Sequence, residues 1–502
     1  MMKRLICLGI CAALAAPILP AQVKDPAAAQ EEAAGDAAAL LYGDLPETRS
    51  SSVTWEKFNM YPPALPQLGR LVPKPADGSG RSLWSVGCET LDRDYADFDQ
   101  FKAFFRGLGV GYARVQTGWE KTETEKGTYD FAWLDHIVDG LLEEGVIPWL
   151  SLSYGNKLYG STRSRIESMC SKENLKAWNA YVEAIVRHYK GKVTYWEVWN
   201  EPNLKDKDVK WFGTLLAQTV KSVKKADPEA RIIAFGTAGV DYKYVDKTFR
   251  YIADSKIMNA IDYVSVHTYY PNPDDVVRDY ASMRAVIKSY NPAMEIIQGE
   301  SGCPSQLEYT HAMARREWTE YKQAKWDARR FACDFTQGVP SSVFTMVDLN
   351  YGNMLQSFGL IRMNLRSVPQ YIRPAYYAIR NLCTVLTPDV KPLTEGVSWT
   401  SSSTRDLQVT PLEKGGKVFG YIIYFKDEVP TDTMEREKIT LTIEGIEPAR
   451  DLVYVDAITG KVYDALPFIH RGGRNDRYMK FTGIPVWDAP VLVLDRKMLE
   501  IR

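Results

Sequence analysis

The sequence predicts an α/β protein, a (β/α)8 TIM barrel followed by a C-terminal antiparallel β-sandwich. Three observations predict it. Between residue 82 and about residue 383, short apolar runs alternate with longer helical patterns, the signature of βαβ units on a parallel sheet. Two of those runs end abruptly in a glutamate, at Glu201 and Glu300. From about residue 386 the helical period stops, and short runs rich in Val, Ile, Tyr and Thr take over.

The elements follow in order. Met1-Met2-Lys3-Arg4 is a basic lead and Leu5 to Leu19 an apolar stretch too short to span a bilayer. With Pro20-Ala21-Gln22 as the cleavage site, residues 1–21 read as a signal peptide, so the expected address is export, periplasmic or extracellular, with no transmembrane helix after the signal is removed. Residues 22–80 read as an Ala-rich tether and an extended, Pro-, Ser- and Gly-rich lead-in. The barrel, residues 81–385, takes eight strands: Leu83–Cys88, Tyr112–Gln116, Ile147–Leu152, Val193–Trp199, Arg231–Phe235, Tyr263–His267, Glu295–Gln298 and Ser342–Val347. Apolar residues at i, i+3, i+4 spacing place helices at Asp97–Leu108, Phe131–Glu144 and Leu175–Tyr189. Further helices are expected at Val209–Lys225, Tyr244–Asp254, Val276–Tyr290, Thr310–Gln337 and Tyr371–Leu382. A doubly wound sheet would also alternate in this way, but no Gly-rich turn follows the first strand, which argues against dinucleotide binding. In residues 386–502, Phe419–Phe425, Lys438–Ile443, Asp451–Val455 and Val491–Leu494 read as strands, with turns at Thr459-Gly460 and Gly472-Gly473.

Bulk composition narrows the function. The 502 residues are 45% apolar and 25% charged with a net charge of −1, so there is no basic footprint for nucleic acid or an anionic membrane. Aromatic residues make up 12%, which suits either stacking on sugar rings or a large core. Beyond the signal five cysteines remain, Cys88, Cys170, Cys303, Cys333 and Cys383. That odd, sparse set is neither a disulfide framework nor a zinc site. Cys88 with Cys303 is the one pair placed to bridge, and free buried thiols are the equal alternative.

The chemistry centres on two acids. Glu201 closes the aromatic fourth strand in Tyr195-Trp196-Glu197-Val198-Trp199-Asn200-Glu201-Pro202-Asn203, and Glu300 closes the seventh in Ile296-Ile297-Gln298-Gly299-Glu300-Ser301-Gly302. Carboxylic acids at the C-terminal ends of two barrel strands are the means of cleaving a glycosidic bond, one as acid/base and one as nucleophile. Asn200 would hold a sugar hydroxyl beside the reacting carbon. His267 or Tyr269, ending the sixth strand, would hydrogen-bond the nucleophile. Arg114, on the second strand, needs a buried partner, either Glu300 or an ordinary inter-strand acid. Trp119 and Glu120, Tyr154 and Asn156, Glu89, and Asp348 lie after strands two, three, one and eight, where rim residues contact substrate. With five His and none clustered, no metal site is expected, and no cofactor is required.

These residues resemble clan A glycoside hydrolases: the Asn-Glu-Pro at strand four, the Glu at strand seven, and the His-x-Tyr at strand six. Trp199-Asn200-Glu201-Pro202-Asn203, Glu125-Lys126-Gly127-Thr128-Tyr129-Asp130-Phe131 and the trailing sandwich are most similar to family 39, which includes β-xylosidases. The resemblance implies a retaining enzyme. Glu201 would be acid/base, Glu300 nucleophile, Asn200 the 2-hydroxyl contact, and Arg114, His267 and Tyr269 supporting residues. One departure stands out. Where clan members often carry a Trp on the eighth strand, this chain reads Val343-Phe344-Thr345-Met346-Val347. The expected function is a secreted retaining glycosidase acting on polysaccharide-derived oligo- or polysaccharide substrates. The alternatives are a non-catalytic carbohydrate-binding barrel and a transglycosylase using the same acids.

Overall fold

The computed structural model describes residues 53–80, 84–161, 165–205, 207–447, 449–471 and 477–502. The expected signal peptide, the Ala-rich stretch and the expected Gly472-Gly473 turn lie outside the described residues.

Eight parallel strands close into a barrel, each hydrogen-bonded to the next and the eighth to the first. They are β1 (Ser85–Gly87), β2 (Tyr112–Gln116), β3 (Ile147–Leu152), β4 (Tyr195–Val198), β5 (Arg231–Ala238), β6 (Tyr263–His267), β7 (Glu295–Ser301) and β8 (Ser341–Val343). Among the described residues the longer helices between them, with the one after β8, are α1 (Phe104–Leu108), α2 (Ala132–Glu143), α3 (Lys172–His188), α4 (Val209–Ala226), α5 (Tyr242–Tyr251), α6 (Val277–Tyr290), α7 (Glu320–Thr336) and α8 (Pro374–Val385). Helix α2 shows why these segments fold as they do. Leu134, Ile137, Val138 and Leu141 fall on one stripe and all are buried. Side-chain caps start several helices, with Ser171 accepting from the Asn174 N–H before α3 and Asp208 from the Lys210 N–H before α4.

Two expected helices differ. Asp97–Leu108 is broken into a 3-10 turn at Phe98–Gln100 and the short α1. Thr310–Gln337 begins only at Glu320, where Thr319 caps it. The segment before it holds three non-glycine residues in the left-handed region, His311, Met313 and Arg315, so it cannot wind as a helix.

The β period of two stacks the barrel interior in layers. The lowest is apolar and aromatic, formed by Tyr112, Trp149, Ile233 and Ile297 with Tyr195 and Tyr263 packed on it. Two residues further along the same inward faces come Gly87, Arg114, Ser151, Glu197, Ser265 and Gly299. Four of these six are Gly or Ser, and the space they leave admits the two long charged side chains.

The C-terminal part is two antiparallel sheets. One runs Gln67–Arg70, Lys461–Asp464, Leu452–Asp456, Val491–Asp495, Lys417–Phe425, Leu407–Lys414, Val390–Pro392. The other runs Ser398–Ser401, Glu437–Glu444, Tyr478–Val486, Ile469–Arg471. The expected turn at Thr459-Gly460 is present, with Gly460 at φ 69°. The lead-in is not wholly extended. Val53–Met60 is a short helix, and Gln67–Arg70 forms the edge strand of the larger sheet, paired with Lys461 to Tyr463. Buried polar contacts bind barrel to sandwich. Lys325 of α7 meets Asp488 at 2.7 Å, and Tyr424 donates to Asp274 at 2.8 Å. Of the two alternatives for Cys88 and Cys303 the free thiols hold: both are buried and unbridged, as are Cys333 and Cys383, while Cys170 is a half-buried free thiol.

Candidate active site

The rim at the C-terminal ends of the strands encloses a cavity of about 610 Å³. Glu89, Asn200, Glu201, His267, Tyr269 and Glu300 line it together. Each is carried there by a strand end. Glu89 follows β1, and a turn after β4 delivers Asn200 and Glu201. In that turn Trp199 and Glu201 both adopt positive φ, 72° and 51°, and the Glu201 N–H is fixed by Gly236 O at 2.8 Å. Glu300 lies in β7 opposite His267 of β6.

Arg114 is the hub. It is fully buried, and its Nε and Nη2 donate to Glu197 Oε2 at 2.8 and 2.6 Å. Its Nη2 also reaches Asn200 Oδ1 at 2.8 Å. Its Nη1 donates to Glu300 Oε2 at 3.0 Å and Glu89 Oε1 at 3.3 Å. Both readings of Arg114 therefore hold, because it pairs with the nucleophile candidate and with an inter-strand acid. The other oxygen of Glu300, Oε1, accepts from Tyr269 Oη at 2.6 Å. His267 stands between the acids. Its Nδ1 is 3.4 Å from Glu201 Oε1 and 3.6 Å from Glu300 Oε2, and its Nε2 is 3.9 Å from Glu197 Oε1. One oxygen of Glu201, one of Glu300 and one His267 nitrogen all lie within 4.8 Å of one another.

The electrostatics follow from burial and this pairing. Burial works to raise Glu197, but Arg114 and His267 outweigh it and hold the carboxyl at about 2. Burial works to lower His267, but Glu300 and the neighbouring Glu197 and Glu201 carboxyls lift it to about 9, so it is an imidazolium at neutral pH. Burial pushes Glu89 up to about 8, and Arg114 opposes this only in part. Burial also pushes the Tyr269 hydroxyl well up, with the Glu300 charge adding to it, so it stays a donor.

Sequence reasoning missed Glu197, although the signal was in the chain: a carboxylate between Trp196 and Val198 inside a strand needs a buried cation. It also missed Arg93. That residue lines the cavity, donates to Asp92 at 3.0 Å and Gln116 at 2.5 Å, and sits over the rings of Tyr95 and Tyr154. Tyr154 does line the cavity, but four of the expected rim contacts do not. Trp119 is fully buried, turned inward to donate to Glu123 at 2.6 Å. Asn156 caps a turn and donates to Glu123 O at 2.8 Å, while Glu120 pairs outward with Lys157. Asp348 is taken by Arg373, at 2.6 and 2.9 Å. Strand-end position puts a residue at the rim without saying whether it faces cavity or helix layer. Of the eighth-strand run Val343 to Val347, Phe344 lines the cavity, edge-on to Tyr269 at 6.5 Å.

Comparison with known proteins finds similar sequences and similar barrels. The family model for glycosyl hydrolases family 39 matches residues 81–293. Across these residues the chain resembles family 39 glycoside hydrolases. A β-xylosidase of Caldicellulosiruptor saccharolyticus is 30% identical over 189 residues, 32% of this chain and 37% of that one. A β-xylosidase of Geobacillus stearothermophilus is 24% identical over 249 residues, 42% of this chain and 49% of that one. The chain thus spans half or less of the length of these curated relatives. The solved structure of a family 39 glycoside hydrolase from the gut symbiont Bacteroides cellulosilyticus WH2 shares the fold. Its TM-score is 0.61 at 16% identity, covering 84% of this chain and 82% of that one. Glu201 falls inside the matched family segment and Glu300 beyond it.

Proposed function

We propose that this protein is a retaining, β-xylosidase-like glycoside hydrolase that is exported and acts on glycosides derived from plant or microbial polysaccharide. The observation that carries the reading is the pair Glu201 and Glu300 lining one cavity, with oxygens within 4.8 Å. Carboxyls about 5–5.5 Å apart serve retaining enzymes, whereas inverting ones need about 6.5–9.5 Å to admit a water.

The roles follow from the contacts. Arg114 and Tyr269 occupy one oxygen each of Glu300 and aim the carboxyl at the anomeric carbon. As Glu300 attacks, the glycosidic bond breaks and its electrons go to the leaving oxygen, which takes the proton from Glu201. The glycosyl ester on Glu300 is then hydrolysed by a water whose proton Glu201 accepts. The Asn200 Oδ1 is tied to Arg114, which leaves its Nδ2 to donate to the hydroxyl next to the reacting carbon. Export rests on the N-terminal basic and apolar segment.

The test is chemical rescue with an aryl β-xyloside. Glu300→Ala and Glu201→Ala should each lose about 10³-fold or more in turnover. Azide should restore turnover in both, giving the α-glycosyl azide with Glu300→Ala and the β-glycosyl azide with Glu201→Ala. Wild-type turnover in either variant would refute the assignment.

A further inference from the structure

Arg114 Nη1 is shared between two carboxyls, Glu300 Oε2 of β7 at 3.0 Å and Glu89 Oε1 of the turn after β1 at 3.3 Å. The other Glu89 oxygen, Oε2, is buried and has no hydrogen-bond partner among the described residues. The carboxyl is folded against its own strand over Gly87, where a Cβ would lie 2.5 Å from both its oxygens. An anionic oxygen left unsolvated and unpaired is far more costly than a neutral one, so the enclosure favours a proton on Oε2. The neighbours agree. Glu89 faces Arg114 on β2, Glu300 on β7 and Tyr269 beyond β6, with Cys88 beside it, and on its own turn Asp92 and Arg93 pair with each other. Arg114 already carries Glu197 and Glu300, so the guanidinium is not Glu89's alone.

We propose that Glu89 is a proton-gated positioning residue: protonated, it leaves Arg114 Nη1 to Glu300, and deprotonated, it competes for that nitrogen and slows release of the sugar from the enzyme. The gate acts on the second half of the reaction. When water cleaves the ester, the bond electrons return to Glu300 as a carboxylate, and its charge develops against Arg114 Nη1. A neutral Glu89 cedes that donor. An anionic Glu89 holds the donor and repels the new charge. The shared nitrogen also couples the two acids: removing the Glu300 charge should ease ionisation of Glu89, which burial holds near 8.

This inference goes beyond the proposed activity but rests on Glu300 as the nucleophile, so one arm of the test is independent of turnover. In protein carrying ¹³C-carboxyl glutamate, one carboxyl resonance should titrate near pH 8 and be absent from Glu89→Gln. In Glu300→Gln, a neutral stand-in for the ester, its midpoint should fall by about one pH unit or more. A Glu89 midpoint in the ordinary carboxylate range, or one unmoved by Glu300→Gln, overturns the proposal whatever the activity. The second arm is the pH profile of kcat with 2,4-dinitrophenyl β-D-xyloside, whose good leaving group makes ester hydrolysis limiting. Its alkaline limb should move to higher pH in Glu89→Gln, and an unmoved limb overturns the gate. A wild type inert to this and other aryl glycosides counts against the glycosidase reading, and the resonance arm still decides the coupling.

Discussion

Replacing Glu197 with Ala tests the charged layer beneath the cavity. Both partners of the Glu197–Arg114 pair are fully buried, joined by two hydrogen bonds of 2.8 and 2.6 Å. Breaking a buried pair by removing one partner costs about 3–5 kcal/mol, because a buried charge loses its compensation. Titration gives a similar size. Glu197 is held at about 2 against an ordinary 4.5, which corresponds to about 3 kcal/mol of stability. Its folded value is depressed, so this contribution is present above about pH 4.5 and lost as pH falls toward 2. Arg114 keeps the Glu300 carboxylate after the substitution, so the loss should fall at the lower end, about 3 kcal/mol. Denaturant unfolding at pH 7 measures it, with Glu197→Gln as the partial case that keeps the shape. A Glu197→Ala protein within about 1 kcal/mol of wild type would refute the reasoning, as would an equal loss at pH 7 and pH 3.

Other outcomes follow from the same contacts. His267 is lifted from an ordinary 6.5 to about 9, so its contribution to stability should be full below pH 6.5 and decline as pH rises through about 9, seen as a falling melting temperature that His267→Gln lacks. Tyr269→Phe removes one donor to Glu300 and should lower kcat/KM by about 10- to 100-fold, the worth of a hydrogen bond to a charged group, with unfolding little changed. Gly299→Ala should disrupt the site although it adds only a methyl group. The new Cβ would collide with Ser265 Oγ and press on His267 Nε2 and Glu197 Oε1 at 3.2 and 3.3 Å, costing about 1–3 kcal/mol and most of the activity.

The barrel was legible because its strands are short apolar runs punctuated by amphipathic helices, and β2, β3 and β6 fall on the expected residues. The edge strand Gln67–Arg70 was not, since its partner lies near residue 462 and its own Pro- and Gly-rich surroundings show no period. The Asn200, Glu201 and Glu300 positions were legible because polar residues that end an apolar barrel strand reach the rim. Arg114 was half legible. A buried cation announces a need for partners, but four partners on two other strands and two turns can be assembled only by closing the barrel. Trp119 and Asp348 misled for a related reason. Each sits at a rim position but satisfies its polar group inward, on Glu123 and Arg373, through contacts that depend on helix and loop packing.

The central claim is that Glu300 is the nucleophile of a retaining glycosidase. The most direct measurement is intact-mass analysis after incubation with 2-deoxy-2-fluoro glycosides of pentoses and hexoses, followed by peptide mapping. The account predicts a single stoichiometric adduct on Glu300, formed readily with the xylosyl probe and lost on prolonged incubation. An adduct on another residue, or none with any probe while the same protein turns over a glycoside, would contradict it.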